Sequence, residues 1–418
     1  MFLNVWKKEC SQIVKNLTYW LYVICLVVFF TSQLGSMKEH MISEPKPNEE
    51  TYINYGTKVS HEEKDIMRAA LGKVVKGYYY KHYVTYPVGF AKNITLGEED
   101  KKEIAGIIKR TTGINENEIE QNLEDFYKKQ DMQVDVAEYL AEPKEDLSYD
   151  EFLAEMKKMT KILGAGSDFT EEKMKADAVI PMDYEGAKEE YDNLVEKDGY
   201  TGGYLRLFCD YMGIIVAILP VFVVATRSLR DKRAKMKDLV YTRKVSSATI
   251  IGSRYMAGVS MMMIPIIVLS LVPMLDCIMI AKGRGIEIDY LAFLKYDFGW
   301  ILPTVMVVSA LGMFLTELTE SALAVLVQGV IWYGAIQLGV KNIDGGAYGW
   351  NLVPRHNTEL NYIGFHDGFS QLMYNRLLYA GIAIVLVVVT IVVYEKKRKG
   401  HLSRNGKIRN NHKRTVKA

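Results

Sequence analysis

The sequence predicts an all-α polytopic membrane protein: six transmembrane helices, with a large, mainly helical domain inserted between the first and the second. Three observations predict it. Apolar residues fall into blocks of about 18–25, long enough to cross about 30 Å of hydrocarbon at about 1.5 Å per residue. Charge is unevenly divided: residues 36–205 hold 36 acidic and 23 basic side chains, a net of −13, against +15 for the remainder of a chain whose overall net charge is +2. Short, strongly basic segments recur on what six crossings would make a single side of the membrane.

The N-terminal stretch mixes Phe2, Leu3, Val5, Trp6, Ile13 and Val14 with Lys7, Lys8 and Lys15, a pattern for an interfacial amphipathic helix over 1–16. The first span follows at 17–35, and no small-residue cleavage site comes after it, so it reads as retained rather than as a signal peptide. Residues 36–205 have the length of one domain. Four capping signatures predict helix starts there: Ser60 with Glu63, Thr95 with Glu98, Asn115 with Glu118 and Ser148 with Glu151, each followed by apolar residues at helical spacing. A fifth helix is expected over 183–195, and the Tyr-rich piece 77–90 reads as strand or loop. Cys10, Cys25, Cys209 and Cys277 all lie outside the middle of this domain, so no disulfide framework holds it.

The second span is expected at 206–226 with Pro220 inside it, followed by a basic segment over 227–254. Spans three to six are expected at 255–280 (with Pro265 and Pro273), 298–315, 322–340 and 376–394. Between them lie an outer loop at 281–297, a tight polar turn at 316–321 and a Gly-, Asn- and aromatic-rich loop at 341–375. The tail, 395–418, carries ten basic residues and one acidic residue. Short basic loops stay in the cytoplasm. With six spans, the 227–244 block and the tail then both lie inside together with the N-terminus, and the acidic domain lies outside.

The block over 227–244 reads three ways: a topology signal, an anionic-lipid site, or an element that docks a partner. Leu229, Lys232, Arg233, Met236, Leu239 and Val240 form one amphipathic helical stripe, which a topology signal alone does not need. Asp210 and Asp276, near the outer ends of spans, suit either the mouth of a substrate path or snorkelling to the interface. Glu317 and Glu320 belong to the inner turn. His356, Glu359, His366 and Asp367 match no standard metal spacing, and hydrogen-bonded loop polarity explains them as well, so no metal is expected. The Gly-Lys pairs Gly72-Lys73 and Gly406-Lys407 lack the rest of a phosphate-binding loop, and no H-E-x-x-H, G-x-S-x-G or C-x-x-C occurs. The chain is therefore expected not to be an enzyme and to bind no cofactor or nucleic acid.

With these segments in place the chain resembles permease subunits of ABC-2 type exporters, from interfacial helix to last span. The most specific stretch is Arg227-Ser228-Leu229-Arg230-Asp231-Lys232-Arg233, leading to Leu239–Ser247 and then Gly252-Ser253-Arg254-Tyr255; the turn Thr316–Ser321 also fits. Leu163–Ser167 and Phe208–Gly213 are similar to segments of uncharacterised permeases from Gram-positive bacteria. The resemblance implies a cell-membrane protein that works with a separate ABC-type ATPase, which binds the ATP and Mg²⁺, and with a second permease, the same or different. It also implies coupling to the ATPase through Leu229, Arg230, Asp231, Arg233, Met236, Leu239, Arg243, Glu317 and Glu320. The rival expectations are a membrane sensor whose outer domain binds a peptide or envelope ligand, and an anchored structural protein.

Overall fold

A computed structural model describes residues 1–35, 38, 41–49, 52–87, 92–129, 139–234, 236–242, 244–339, 346, 348–356, 358 and 360–400. The chain divides into two compact units, one of Met1–Met41 with Asp192–Ala418 and one of Ile42–Tyr191.

Helix α1 (Phe2–Val14) turns only Glu9 and Ile13 fully inward, as an amphipathic stripe should. Asn16 caps α2 (Leu17–Gln33) by accepting from Thr18 N at 3.1 Å, and the two helices meet at 69°.

The Ile42–Tyr191 unit is built on α3 (Glu63–Tyr79), α4 (Glu98–Thr112), α5 (Glu116–Lys129), α6 (Tyr149–Leu163), α7 (Glu171–Ala176) and α8 (Tyr184–Asp192). Two antiparallel ribbons complete it: β1 (Thr57–Val59) with β4 (Val179–Pro181), and β2 (Tyr83–Thr85) with β3 (Lys92–Ile94). Its core comes from the inward faces of the helices: Leu71, Val74 and Val75 of α3, Ile104, Ile107 and Ile108 of α4, Leu123 of α5 and Phe152, Met156 and Met159 of α6. At the start of α6, Ser148 and Glu151 form the reciprocal pair that the spacing predicts. Ser60 does not cap α3: its hydroxyl bonds the Asp65 carboxylate at 2.7 Å, and Glu62 takes the cap position. Gly97 rather than Thr95 precedes α4, where Asp100 accepts from its N–H. The Tyr-rich piece is divided, since α3 runs on to Tyr79 before β2 begins.

In the other unit the expected second span is two helices, α9 (Thr201–Val216) and α10 (Leu219–Arg233), meeting at 42°. Pro220 is therefore not inside a helix but opens α10, where a missing N–H costs nothing. The break frees the carbonyls of Ile214 and Ala217 among others, because Ile218 N bonds Ile215 O and Val221 N bonds Ile218 O. Both are satisfied by α15 (Leu323–Gly339): Trp332 Nε1 donates to Ile214 O at 2.8 Å and Gln328 Nε2 to Ala217 O at 2.6 Å. This is how a broken helix is tolerated where water is scarce.

The predicted 229–240 stripe is likewise not one helix. α10 ends at Arg233, and the short α11 (Lys237–Tyr241) follows as a separate turn. α12 (Ser247–Arg284) has 38 residues and runs through Pro265 and Pro273. At roughly 57 Å it exceeds the hydrocarbon thickness. α13 (Ala292–Tyr296), a π turn at Asp297–Ile301 and α14 (Leu302–Thr319) form one apolar rod. The expected 316–321 turn is thus shorter: Thr316–Thr319 stay helical, and Glu320 makes the turn with φ 55°. α16 (Tyr362–Arg398) begins inside the expected 341–375 loop, because Asn361 caps it by accepting from Gly364 N at 2.8 Å. Among the described residues, three helices can cross a membrane by length and composition (α12, α13–α14 and α16), or five with each bent pair taken as one span. Leu323–Gln337 is a shorter apolar helix.

Gly72 decides a packing question in α3. A Cβ there would sit 1.7 Å from the Tyr139 carbonyl oxygen, so a backbone segment, not a flexible side chain, would have to move. Ala is favoured over Gly in a helix interior by about 1 kcal/mol, whereas overpacking costs about 1–3 kcal/mol. Gly72→Ala is predicted to lower stability in a denaturant titration of the full chain; an increase would contradict this packing.

Candidate functional site

Polar groups of the Met1–Met41 and Asp192–Ala418 unit gather at the two ends of the parallel pair α14 and α16. At the charged end, α1, α10 and α12 are joined by a buried ionic network. Arg227 Nε and Nη2 each donate to the Glu9 carboxylate at 2.7 Å. Arg254 Nε lies 3.4 Å from the same carboxylate and pairs through Nη2 with Asp231, which stands one helical turn beyond Arg227. Glu9 and Arg227 are each less than a tenth exposed. The helices are placed for this by their apolar faces: α1 lies along α12, and Tyr19 and Tyr22 of α2 donate to the α12 carbonyls of Met261 and Met262 at 3.2 and 2.8 Å.

Beside this network the C-terminal end of α14 is clamped by two lysines. Lys397 of α16 donates to the carbonyls of Glu317 and Leu318 and lies 3.3 Å from the Glu320 carboxylate. Lys232 of α10 donates to Glu320 O at 2.9 Å. Cations at a helix C-terminus both satisfy its last carbonyls and oppose the helix dipole. Arg398 ties the α11 segment to α16 by donating to Tyr241 O at 2.8 Å and Val245 O at 2.6 Å, and the Tyr241 and Tyr394 rings meet edge to face. Ser247, at the start of α12, donates to Glu395. A cavity of about 20 Å³, enough for about one water, is lined among others by Asp231, Lys232, Arg254, Glu317, Glu320 and Tyr394.

Of the residues predicted from sequence, Asp231, Glu317 and Glu320 meet at this cavity, and Leu229 lines it as well. Arg230 and Arg233 point to solvent. Met236 and Leu239 are 47% and 62% exposed. Arg243 lies outside the described residues. Sequence reasoning missed Glu9, Arg254 and Lys397 as members of the cluster. A carboxylate on the apolar face of α1 was the available signal for Glu9.

The other end is held by hydrogen bonds to loop backbone. Arg206 of α9 is fully buried, bonds both oxygens of Asp198 at 3.1 and 2.7 Å and Leu360 O at 3.1 Å, and stacks on Phe365. Asp210, also fully buried, accepts from Arg355 Nε at 3.1 Å and from His356 N at 2.6 Å. Asp276 is partly exposed and lies 3.5 Å from Lys38. Arg376 of α16 donates to the carbonyls of Trp300, Asn351 and Leu352 and to Thr304. The His356 ring is closed in by Tyr348 Oη at Nδ1 (2.8 Å) and Leu360 O at Nε2 (2.9 Å). Burial, with the Arg206 charge nearby, pushes its pKa down to about 3, so the ring is neutral at pH 7. His366 and Asp367 stand exposed on the first turns of α16. Glu359 lies outside the described residues. Among the described residues no group of three or more His, Cys, Asp or Glu side chains could hold a metal ion.

Removing one partner of a buried pair leaves an uncompensated charge, at a cost of about 3–5 kcal/mol. Glu9→Ala is predicted to destabilise the detergent-solubilised chain on that scale, read as thermal unfolding, while Ala at the exposed Lys7 leaves it unchanged. Equal effects would remove the network from any special place in the fold.

No curated protein and no solved structure matches the chain. The family model of ABC-2 family transporter proteins matches residues 48–340, more than half of the sequence. That match covers α3 to α15, including the broken helix pair, α11, α12 and the clamped end of α14. The chain therefore belongs to the ABC-2 family of transporter proteins, as a membrane-embedded permease.

Proposed function

We propose that this permease exports a substrate across the cell membrane, driven by a separate ABC-type ATPase that docks at the charged end. In this reading there are six spans, the shorter apolar helix α15 counting as one. The basic 227–244 block, the tail and both termini lie in the cytoplasm, and the acidic Ile42–Tyr191 unit lies outside. The charge division supports that sidedness, since short basic segments are retained on the cytoplasmic side. A second permease, identical or different, would complete the pathway.

The observation that carries the docking proposal is the position of α11. It hangs between two secured elements, α10 through the Glu9–Arg227 network and α16 through Arg398, yet leaves Met236 and Leu239 exposed. Exposed apolar residues on a short, tied element suit a partner contact better than a lipid contact, because the flanking side chains Arg230, Lys232 and Arg233 are charged and solvated. Force applied there would reach α10 and α12 through ion pairs and α14 through the Glu320 clamp. α10 in turn begins at the break over Ala217 and Ile218, where α9 ends, so the two halves can change angle.

Purification from native membranes is predicted to bring down a nucleotide-binding ATPase, and the combined Met236→Asp, Leu239→Asp variant to lose it at unchanged expression. Retention by the double variant would move the docking site elsewhere. Absence of any ATPase from a folded preparation would remove the energy source and with it this reading.

A further inference from the structure

Asp297 opens the π turn between α13 and α14 and is completely buried. Its Oδ2 lies 2.6 Å from Ser270 Oγ of α12, and its Oδ1 has no hydrogen-bond partner. The Ser270 hydroxyl also lies 2.9 Å from the Ile267 carbonyl of its own helix. One hydroxyl hydrogen serves one acceptor well. If Ser270 donates to Ile267 O, its lone pair faces Asp297, and the 2.6 Å contact then needs a hydrogen on the carboxyl. The surroundings point the same way, because a buried carboxylate without a cation is strongly disfavoured among apolar helices.

Among the described residues no neighbouring element supplies that cation. On α9, Arg206 is engaged by Asp198 and the Tyr296 hydroxyl, Asp210 by Arg355 and His356 N–H, and Cys209 is a buried thiol. On α13, Lys295 pairs with Asp289. On α12, Cys277 is a buried thiol and Asp276 faces Lys38. On α16, Arg376 is taken by Trp300 O and Thr304, and the Tyr379 hydroxyl by Trp350 O. Along α14 the only ionisable side chain is Glu317, at the far end.

We propose that Asp297 is a proton-binding site in the membrane-spanning bundle, occupied in this conformation and closed by Ser270. Separation of α12 from the π turn would expose the carboxyl to water and release the proton, so the conformational equilibrium carries a proton. A π turn suits such a site: the extra residue opens the backbone ladder locally, and such turns concentrate at functional positions. The inference does not depend on the direction of transport or on the ATPase.

The test uses the full chain in lipid nanodiscs. Infrared difference spectra at neutral pH between the native chain and Asp297→Asn are expected to show a protonated-carboxyl stretching band present only in the native chain, and Ser270→Ala is expected to shift that band. The folded chain then binds one more proton than the unfolded chain, so native stability is expected to fall as pH rises from neutral, while Asp297→Asn, neutral throughout, loses less. If Asp297→Asn does not fold, the Ser270→Ala shift carries the test. No carboxyl band at neutral pH, parallel pH profiles for native and Asn chains, or stabilisation of the native chain alone by sodium ions would overturn the proposal.

Discussion

The buried pairing of Glu9 with Arg227, shared with Arg254 and completed by Asp231, is the constraint on which the charged end depends. Buried ion pairs add little net stability, since desolvation offsets most of their attraction, but breaking one is costly. Their effect is on arrangement. Apolar packing alone would let α1 slide along α12 with little penalty, because an apolar stripe has many near-equivalent registers. Two guanidinium groups sharing one carboxylate accept only one. α1 is thereby fixed to α10 and α12 at a single height.

The bundle's two ends are secured by different chemistry. At the charged end, lysine and arginine side chains from α10 and α16 satisfy the last carbonyls of α14 and of the α11 segment. At the other end, Arg206, Asp210 and Arg376 hold the loop before α16 by its backbone. Between them lies the broken pair α9–α10, whose freed carbonyls depend on two side chains of α15. Rigid ends joined through a break with replaceable hydrogen bonds describe a bundle that can change angle without unfolding.

Much of this is legible in the sequence, and what is not has a physical reason. Apolar runs and the Ser148–Glu151 box are local signals, and each falls within helix, with the second run broken at Ala217 and Ile218. Ser60 misled because its oxygen accepts from Glu62 N, ahead of the helix, while its hydroxyl donates to Asp65. The 229–240 stripe is periodic, yet the chain leaves the helix after Arg233, so periodicity there described two short faces rather than one long one. The first turns of α16 were hidden because Gly364, His366, Asp367 and Gly368 read as loop, while Asn361 supplies the cap that lets the helix start early. The ionic network was beyond local reading altogether: Glu9 and Arg254 stand 245 residues apart. No pattern within a window joins them.

Sidedness of the charged end is the claim from which the docking and drive follow, and thiol labelling in intact cells tests it most directly. With Cys10 and Cys25 replaced by serine, single cysteines are placed at the exposed positions Lys109 and Arg233. Treatment with a membrane-impermeant maleimide is predicted to modify Lys109→Cys in intact cells and Arg233→Cys only after permeabilisation. Modification of Arg233→Cys in intact cells would place the charged end outside, beyond the reach of ATP, and contradict the account.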